Sequence, residues 1–527
     1  MSPHPESEEK FERIRQRVGF FLGLLTFIFL LLMPIPEAFL RAAQSTTQST
    51  ELTSQVVELA RGTRSALALA LLMVIWWITE AIPIPATALL PGIILPILHV
   101  TGFSGSSPFE FTPQRVFANY AHPVIFLFLG GFLIAAAMQK WGLDRRLTLW
   151  ILSRGQLANS TRRVILGLMA VTAFISMWIS NTATTAMMLP LALGILTHTE
   201  VKVGESKFGT ALMLGIAYAA SIGGIGTIIG TPPNGIAVSI LEKSGLPKIS
   251  FLDWMKFGIP YVLIVLPCAW YLLIKFFPPE VGSIPGGRDH IVHQLKELRG
   301  WSAGEKATVA VFLLAVVLWV SNPFWNSLLP SGIAGQLRWV DEYTIGIIAG
   351  ILLFVMPVDW KNRTFALEWK DTKFVDWGTL ILFGGGIALS DAMFKTGLAS
   401  WIATSFVGLI GTPSTLVLVV LVVFLMAMLT EVTSNTAVTS MMVPVVMAIA
   451  RGTGDDPVVL SVAAAVAASM AFMLPVATPP NALVYGTGYI KIRDMVRAGF
   501  LLNMVGWALT VLIIYVFGHI VFNIFAF

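Results

Sequence analysis

The stretch SNTATTAMMLP at 180–190 is written almost again as SNTAVTSMMVP at 434–444, with eight of eleven positions identical. Each copy sets a polar Ser-Asn-Thr tripeptide inside a long apolar segment, about 164–197 and 411–450. The setting gives the tripeptide its meaning. Of 527 residues, 56% are hydrophobic and 12% charged, where soluble domains carry about 25% charged residues. Apolar runs this long, without period-2 alternation, read as membrane-crossing helices rather than barrel strands. Inside a bilayer, a break in a helix is tolerated only where protein or a water-filled cavity surrounds it. The two tripeptides therefore mark a cavity.

Spans are expected near 18–36, 65–80, 84–99, 121–139, 210–240, 256–277, 306–321, 343–358, 376–394, 457–488 and 497–523. The first run has no small-residue cleavage site after it and reads as a retained span. Each Ser-Asn-Thr segment reads as a re-entrant hairpin that enters and leaves on one side. That arrangement gathers 24 of the 34 Lys and Arg on one face, the positive-inside bias. It places the N-terminus in the cytoplasm and the C-terminus outside. Counted as ordinary spans, the two segments destroy the bias. The net charge of +5 thus reflects topology and not nucleic-acid binding.

The repetition extends beyond the tripeptides. FLGGFLIAAAMQKWGL (128–143) aligns with FGGGIALSDAMFKTGL (383–398), and GTPPN (230–234) with ATPPN (477–481). Each copy reads as three spans, a hairpin, a broken span and a last span. The number of crossings is odd, so the second copy lies inverted, as in secondary transporters. The expected fold is an all-α integral membrane protein of about 11 transmembrane helices plus two re-entrant hairpins, in inverted-topology repeats. Its parts are 1–64 (tail, first span and outer loop), 65–277 (first repeat), 278–303 (cytoplasmic linker) and 304–527 (second repeat).

Ser, Asn and Thr cap helices and compete with helical hydrogen bonding, while Pro removes a donor and bends the residue before it out of helical geometry. Each repeat therefore offers two helix ends inside the bilayer. N-terminal ends carry free donors and partial positive charge, which suits an anion. Freed carbonyls, hydroxyls and amide oxygens suit a hard cation. One cation site and half an anion site per repeat follow, and the inverted symmetry would bring the halves together in one cavity. The nearest basic residues lie at loop edges, so dipoles, hydroxyls, amides and bound cations must balance an anion there.

Other features carry less. Gly130, Gly131 and Gly384 to Gly386 suit close helix packing. Glu431, an acid inside the apolar segment, has Met177 at the equivalent position of the first copy and suits a structural or gating role. Glu80, in WWITEAIPIP, marks an interfacial connection. Cys268, the one cysteine, has no internal partner. The histidines show no metal spacing, and Gly-rich SIGGIGTIIG has no following Lys. No nucleophile elbow or acid–base pair marks an enzyme.

With the paired tripeptides, the paired Thr-Pro motifs, WWITEAIPIPATALLP and ATPPNALVYGTGYI, residues 65–523 resemble the divalent anion/sodium symporter family. Its sodium-coupled dicarboxylate and citrate carriers are often called INDY proteins. The resemblance implies a homodimer in membrane lipid, with a transport part that slides as an elevator. It implies a first sodium site at Ser176, Ser180, Asn181 and the Gly230 backbone. A second would use Thr430, Thr433, Ser434, Asn435 and the Ala477 backbone. The carboxylates of a small di- or tricarboxylate would meet Asn181, Thr182, Thr231, Asn435, Thr436, Thr478 and Pro479. The expected function is sodium-coupled import of a C4-dicarboxylate (succinate, malate, fumarate) or a related anion. A sodium-independent exchanger, a sulfate carrier and, from another class, an ion channel are the alternatives.

Overall fold

Apolar side chains along almost the whole chain leave helix as the structure that satisfies every backbone group without water. The computed structural model describes residues 5–47, 51–104, 107–153, 160–282, 287–298 and 300–522. Arg154 and Arg299 of the basic count lie outside them, as do parts of the tail, the linker and the end of the last span. Among the described residues the regular structure is helical apart from two short antiparallel pairs, Thr101–Ser104 with Ser107–Glu110 and Pro357–Asp359 with Thr364–Phe365.

Eight described helices are long and apolar enough to cross a membrane, or nine if the bent pair Leu398–Ile410 and Thr415–Leu429 counts as one span. Seven of the eight fall on expected spans, and the eighth, Asn435–Thr453, is the second arm of the expected hairpin at 411–450. The other four expected spans are short or broken helices, two of them interrupted just before the Thr-Pro-Pro-Asn motifs. Residues 84–99 hold Ile84–Ala88 and Leu90–Ile97, and 343–358 holds the 14-residue helix Glu342–Val355. The run 210–240 splits into Lys207–Gly224 and Pro232–Lys243, and 457–488 into Pro457–Ala468 and Pro479–Tyr485. Helix Leu398–Ile410 was not among the expected spans. Gly411, at φ 84°, ends it, and the chain turns by 109° into Thr415–Leu429.

The chain folds into two compact units. One comprises Met1–Ile125, Ile236–Lys248 and Trp377–Ala468. Its core joins Leu69, Met73 and Trp77 of helix Ser54–Thr79 to Leu389, Ala392 and Met393 of helix Trp377–Lys395 and to Ala437 and Met441 of Asn435–Thr453. The glycine run lies at its tightest packing. A Cβ on Gly384 would strike Tyr120, one on Gly385 the Ala88 carbonyl, and one on Gly386 would lie 2.8 Å from Ser440 Oγ. Glu80 closes helix Ser54–Thr79 in the left-handed conformation, φ 49°.

The other unit comprises Phe126–Gly235, Ile249–Asp376 and Ser469–Phe527. Helix Lys207–Gly224 runs through it, buried along its whole length after Lys207, and packs on Thr161–Ser176, Asn181–His198, Phe251–Phe276 and Pro479–Tyr485. A Cβ on Gly130 would strike the Gly346 carbonyl. The loop ends of this unit are pinned by charge. Lys140 Nζ lies 2.8 Å from Asp371 and 3.8 Å from Glu368, and Arg146 Nε donates to Glu305 at 2.5 Å. Burial pushes the Asp371 carboxyl up, but hydrogen bonds from Lys140 and the Glu368 N–H outweigh it and hold the group below its ordinary value.

Candidate functional site

Both tripeptides begin a helix. In the first copy, helix Thr161–Ser176 stops, residues 177–180 form the break, and Asn181–His198 begins. Ser180 is its N-cap, and its Oγ accepts from the Ala183 N–H at 3.3 Å. In the second copy Thr415–Leu429 stops and Asn435–Thr453 begins, with Ser434 as an N-cap that makes no side-chain bond. Pro190 and Pro444 sit at matching places inside the two second helices.

The break in the first copy is held from three sides. Thr227 Oγ1 donates to the Met177 carbonyl at 2.5 Å, inside the turn that separates Lys207–Gly224 from Pro232–Lys243. Trp178 stacks on Phe251 at 6.3 Å and meets the edge of Phe312 at 5.2 Å, while Phe251 stacks on Trp319 at 4.7 Å. The Ile225 carbonyl, past the end of its helix, accepts from Trp254 Nε1 at 2.9 Å. Such partners satisfy backbone groups that an interrupted helix leaves open.

At the centre of each copy three oxygen atoms converge. Ser176 Oγ lies 2.7 Å from Asn181 Oδ1 and 2.8 Å from the Ala220 carbonyl oxygen. Thr430 Oγ1 lies 2.6 Å from Asn435 Oδ1 and 2.6 Å from the Ala468 carbonyl oxygen. Ser176 and Thr430 are both fully buried. A hydroxyl owns one proton, so it donates to one neighbour, and the other oxygen faces it without a hydrogen between. Three negative ends of dipoles around a buried hydroxyl are a donor set that suits a hard cation. The first cluster is tight because Gly224 has no side chain. A Cβ there would lie 2.5 Å from Asn181 Oδ1 and 3.1 Å from the Gly230 carbonyl oxygen. Gly230, in turn, is closed in by Gly224, since a Cβ on it would strike the Gly224 carbonyl.

The structure thus brings Ser176, Asn181 and Gly230 into one neighbourhood, with Ser180 at the helix end beside them. Thr430, Ser434 and Asn435 form the equivalent neighbourhood. Thr433 points elsewhere: its hydroxyl donates to the Trp77 carbonyl at 3.2 Å and ties the break to helix Ser54–Thr79. Ala477 belongs to the unit that does not hold Thr430. Glu431 is buried in the second break.

Of the candidate substrate contacts, Asn181, Thr182, Thr231, Thr478 and Pro479 belong to one unit and Asn435 and Thr436 to the other. Within the first group, the helix begun by Asn181 packs on the helix begun by Pro479. A Ser-Asn-Thr helix of one copy thereby meets a Thr-Pro-Pro-Asn helix of the other. Thr182 and Pro479 are exposed, Asn181 and Thr436 half-buried, and Thr231 and Thr478 buried. Thr478 caps its helix, its Oγ1 accepting from the Asn481 N–H at 3.3 Å.

Sequence reasoning missed four groups. The carbonyls of Ala220 and Ala468 carry no side-chain signature. Asn234 and Asn481 did carry one, the shared last letter of GTPPN and ATPPN, but the prolines beside them drew the attention. Among the described residues no three His, Cys, Asp or Glu gather into a metal cluster.

The family match decides the wider identity: the sodium:sulfate symporter transmembrane region matches residues 55–524. The chain belongs to the sodium:sulfate symporter family. This is the divalent anion/sodium symporter family that the paired motifs resemble. Within it, the chain is 38% identical over 523 residues to the sodium-dependent dicarboxylate transporter SdcS of Staphylococcus saprophyticus, covering 97% of this chain and 93% of that one. The transporter of the same name from Staphylococcus aureus is 39% identical over 471 residues, 87% of this chain and 86% of that one. Among solved structures, the YdaH transporter of Alcanivorax borkumensis superposes with TM-score 0.53 at 15% identity, over 85% of this chain and 98% of that one. MtrF of Neisseria gonorrhoeae, of a class of antimetabolite efflux pumps, gives TM-score 0.54 at 13% identity, over 85% and 97%. Both show the fold alone. The protein is a multi-pass membrane transporter of this family.

Proposed function

We propose that this symporter-family chain carries C4-dicarboxylates such as succinate, malate or fumarate, or a related di- or tricarboxylate, into the cell together with sodium ions. The observation that carries the reading is the oxygen cluster built twice, at Ser176, Asn181 and Ala220 and at Thr430, Asn435 and Ala468. No Lys or Arg occurs at 164–201, 208–242, 396–450 or 452–490. A dianion in such surroundings needs bound cations as its counter-charge, which makes sodium and substrate mutually dependent.

The membrane potential asks for the same partnership. Moving a dianion inward against an inside-negative potential costs about 4.6 kcal/mol per 100 mV. Two sodium ions cancel that charge, and a third makes the potential a driving force. Thr182 and Thr436 in the first turns of their helices, with Thr231, Thr478 and Pro479, would hold the carboxylates through hydroxyls and helix-end N–H groups. The transport part would move as an elevator within a homodimer of inverted repeats. The basic residues favour an N-terminus in the cytoplasm and a C-terminus outside, with the protein in the inner membrane of its cell.

The family description favours sulfate as a second reading, whereas the names of relatives at 38% and 39% identity favour dicarboxylates. Uptake of labelled succinate and sulfate into proteoliposomes separates them. Succinate uptake that saturates and disappears when choline replaces sodium is the expected result. Undiminished uptake in choline, or uptake of sulfate alone, contradicts the proposal.

A further inference from the structure

The two Thr-Pro-Pro-Asn asparagines make the same pair of bonds at the same spacing. Asn234 Nδ2 donates to the Gly224 carbonyl at 3.1 Å and to the Thr227 carbonyl at 2.7 Å, ten and seven residues back. Asn481 Nδ2 donates to the Ala471 carbonyl at 3.0 Å and to the Leu474 carbonyl at 3.0 Å, again ten and seven residues back. In both copies these carbonyls lie at or just past the end of a helix, where the helical ladder stops; the Thr227 carbonyl also accepts from the Gly230 N–H at 3.4 Å and the Leu474 carbonyl from the Ala477 N–H at 3.2 Å. Both side chains are fully buried, and both Oδ1 atoms accept no hydrogen bond. The amide orientation is settled by its surroundings, since turning it over would set Oδ1 against two carbonyl oxygens. An asparagine kept with a buried, unused acceptor is there for its two donors. A hydrophobic residue would fill the space without that penalty.

In the first copy the consequence reaches the oxygen cluster. Gly224, whose carbonyl Asn234 holds, is the residue packed against Asn181 Oδ1 and Gly230. The Thr227 carbonyl, held by the same amide, belongs to the residue whose hydroxyl grips Met177 in the facing break. One buried amide thus fixes both ends of the turn that forms the floor of the cluster. Without it the Thr227 carbonyl keeps, among the described residues, only the longer bond from the Gly230 N–H at 3.4 Å, and the turn loses the shape that brings Gly230 to Asn181.

We infer that Asn234 is a positioning residue that sets the sodium affinity of the carrier by holding in place the backbone turn beside the first oxygen cluster. It need not touch the ion. The inference rests on the sodium-coupled reading above and adds to it a residue that keeps the first cation site preformed.

The test is succinate uptake into proteoliposomes at saturating succinate with sodium varied, for wild type and Asn234→Ala. The alanine variant is expected to raise the half-saturating sodium concentration about tenfold, the cost of a lost buried hydrogen bond. The maximal rate per folded transporter stays within about threefold of wild type. Asn234→Ser, which keeps one donor, shifts the sodium curve less than alanine does. Should an alanine variant fail to fold, the serine variant in detergent gives the same reading from the sodium-induced rise in Tm, which requires higher sodium than in wild type. A purely structural role predicts lower yield or maximal rate with an unchanged sodium curve, and that result overturns the inference. Wild-type uptake indifferent to sodium would instead overturn the reading on which it rests.

Discussion

A hydroxyl with one proton faces two acceptors at Ser176, and the same is true at Thr430. The two positions differ in residue type yet place their oxygen alike, so the methyl group of threonine is incidental and the oxygen is not. Thr430→Ser is therefore expected to keep a wild-type sodium requirement. Ser176→Ala and Thr430→Ala each remove one oxygen from a cation's shell, worth about 1.5–3 kcal/mol for a charged partner, and raise half-saturating sodium roughly ten- to hundredfold. Sodium titrations of uptake check this, and an alanine variant with a wild-type sodium curve would exclude that hydroxyl from the site. At this scale the sequence was legible in which side chains meet. Ser176 with Asn181 and Thr430 with Asn435, grouped by the family resemblance, lie side by side in the structure. Thr433, of the same type and two residues from Asn435, spends its hydroxyl on Trp77 instead, because the folded neighbour that claims it lies far away in the chain.

Broken helices are the elements that make the site, and each is anchored at the end away from the break. Helix Lys207–Gly224 begins outside the cluster with Ser206 as N-cap, and the Glu280 carboxylate accepts from the Ser206 hydroxyl and from the Phe208 N–H at 2.9 Å. Burial pushes that carboxyl up, but these hydrogen bonds outweigh it and hold it below its ordinary value of 4.5. A group depressed in the folded state gives stability that is complete above its unfolded value and is lost as pH falls through the folded one. Tm in detergent is therefore expected to fall below about pH 4.5 in wild type and to fall less steeply in Glu280→Gln. Identical slopes would show that Glu280 contributes nothing to this dependence. The Pro-marked and Ser-Asn-Thr-marked breaks were readable in advance because those residues oppose helix by their own chemistry. Helix Leu398–Ile410 was not, since the 109° turn that separates it from Thr415–Leu429 needs only Gly411 and a few residues after it.

Across the whole molecule, composition announced a helical membrane protein, and the repeated stretches announced where its helices break. The number of full spans was not legible, because hydropathy measures apolar length and not whether a helix runs through it. The 12-residue helix Pro457–Ala468, fully buried after Pro457, is as apolar as any span. Nor did the sequence show that the Asn181–His198 helix would pack on Pro479–Tyr485 of the other repeat, since alignment pairs like with like and folding here pairs unlike elements. The central claim is that the two oxygen clusters bind the sodium that makes dicarboxylate transport possible. Sodium-driven succinate uptake by proteoliposomes holding wild type, Asn181→Ala or Asn435→Ala tests it most directly. The account predicts that each substitution abolishes uptake in a protein that elutes and melts as wild type does; sodium-driven uptake retained by either variant would contradict it.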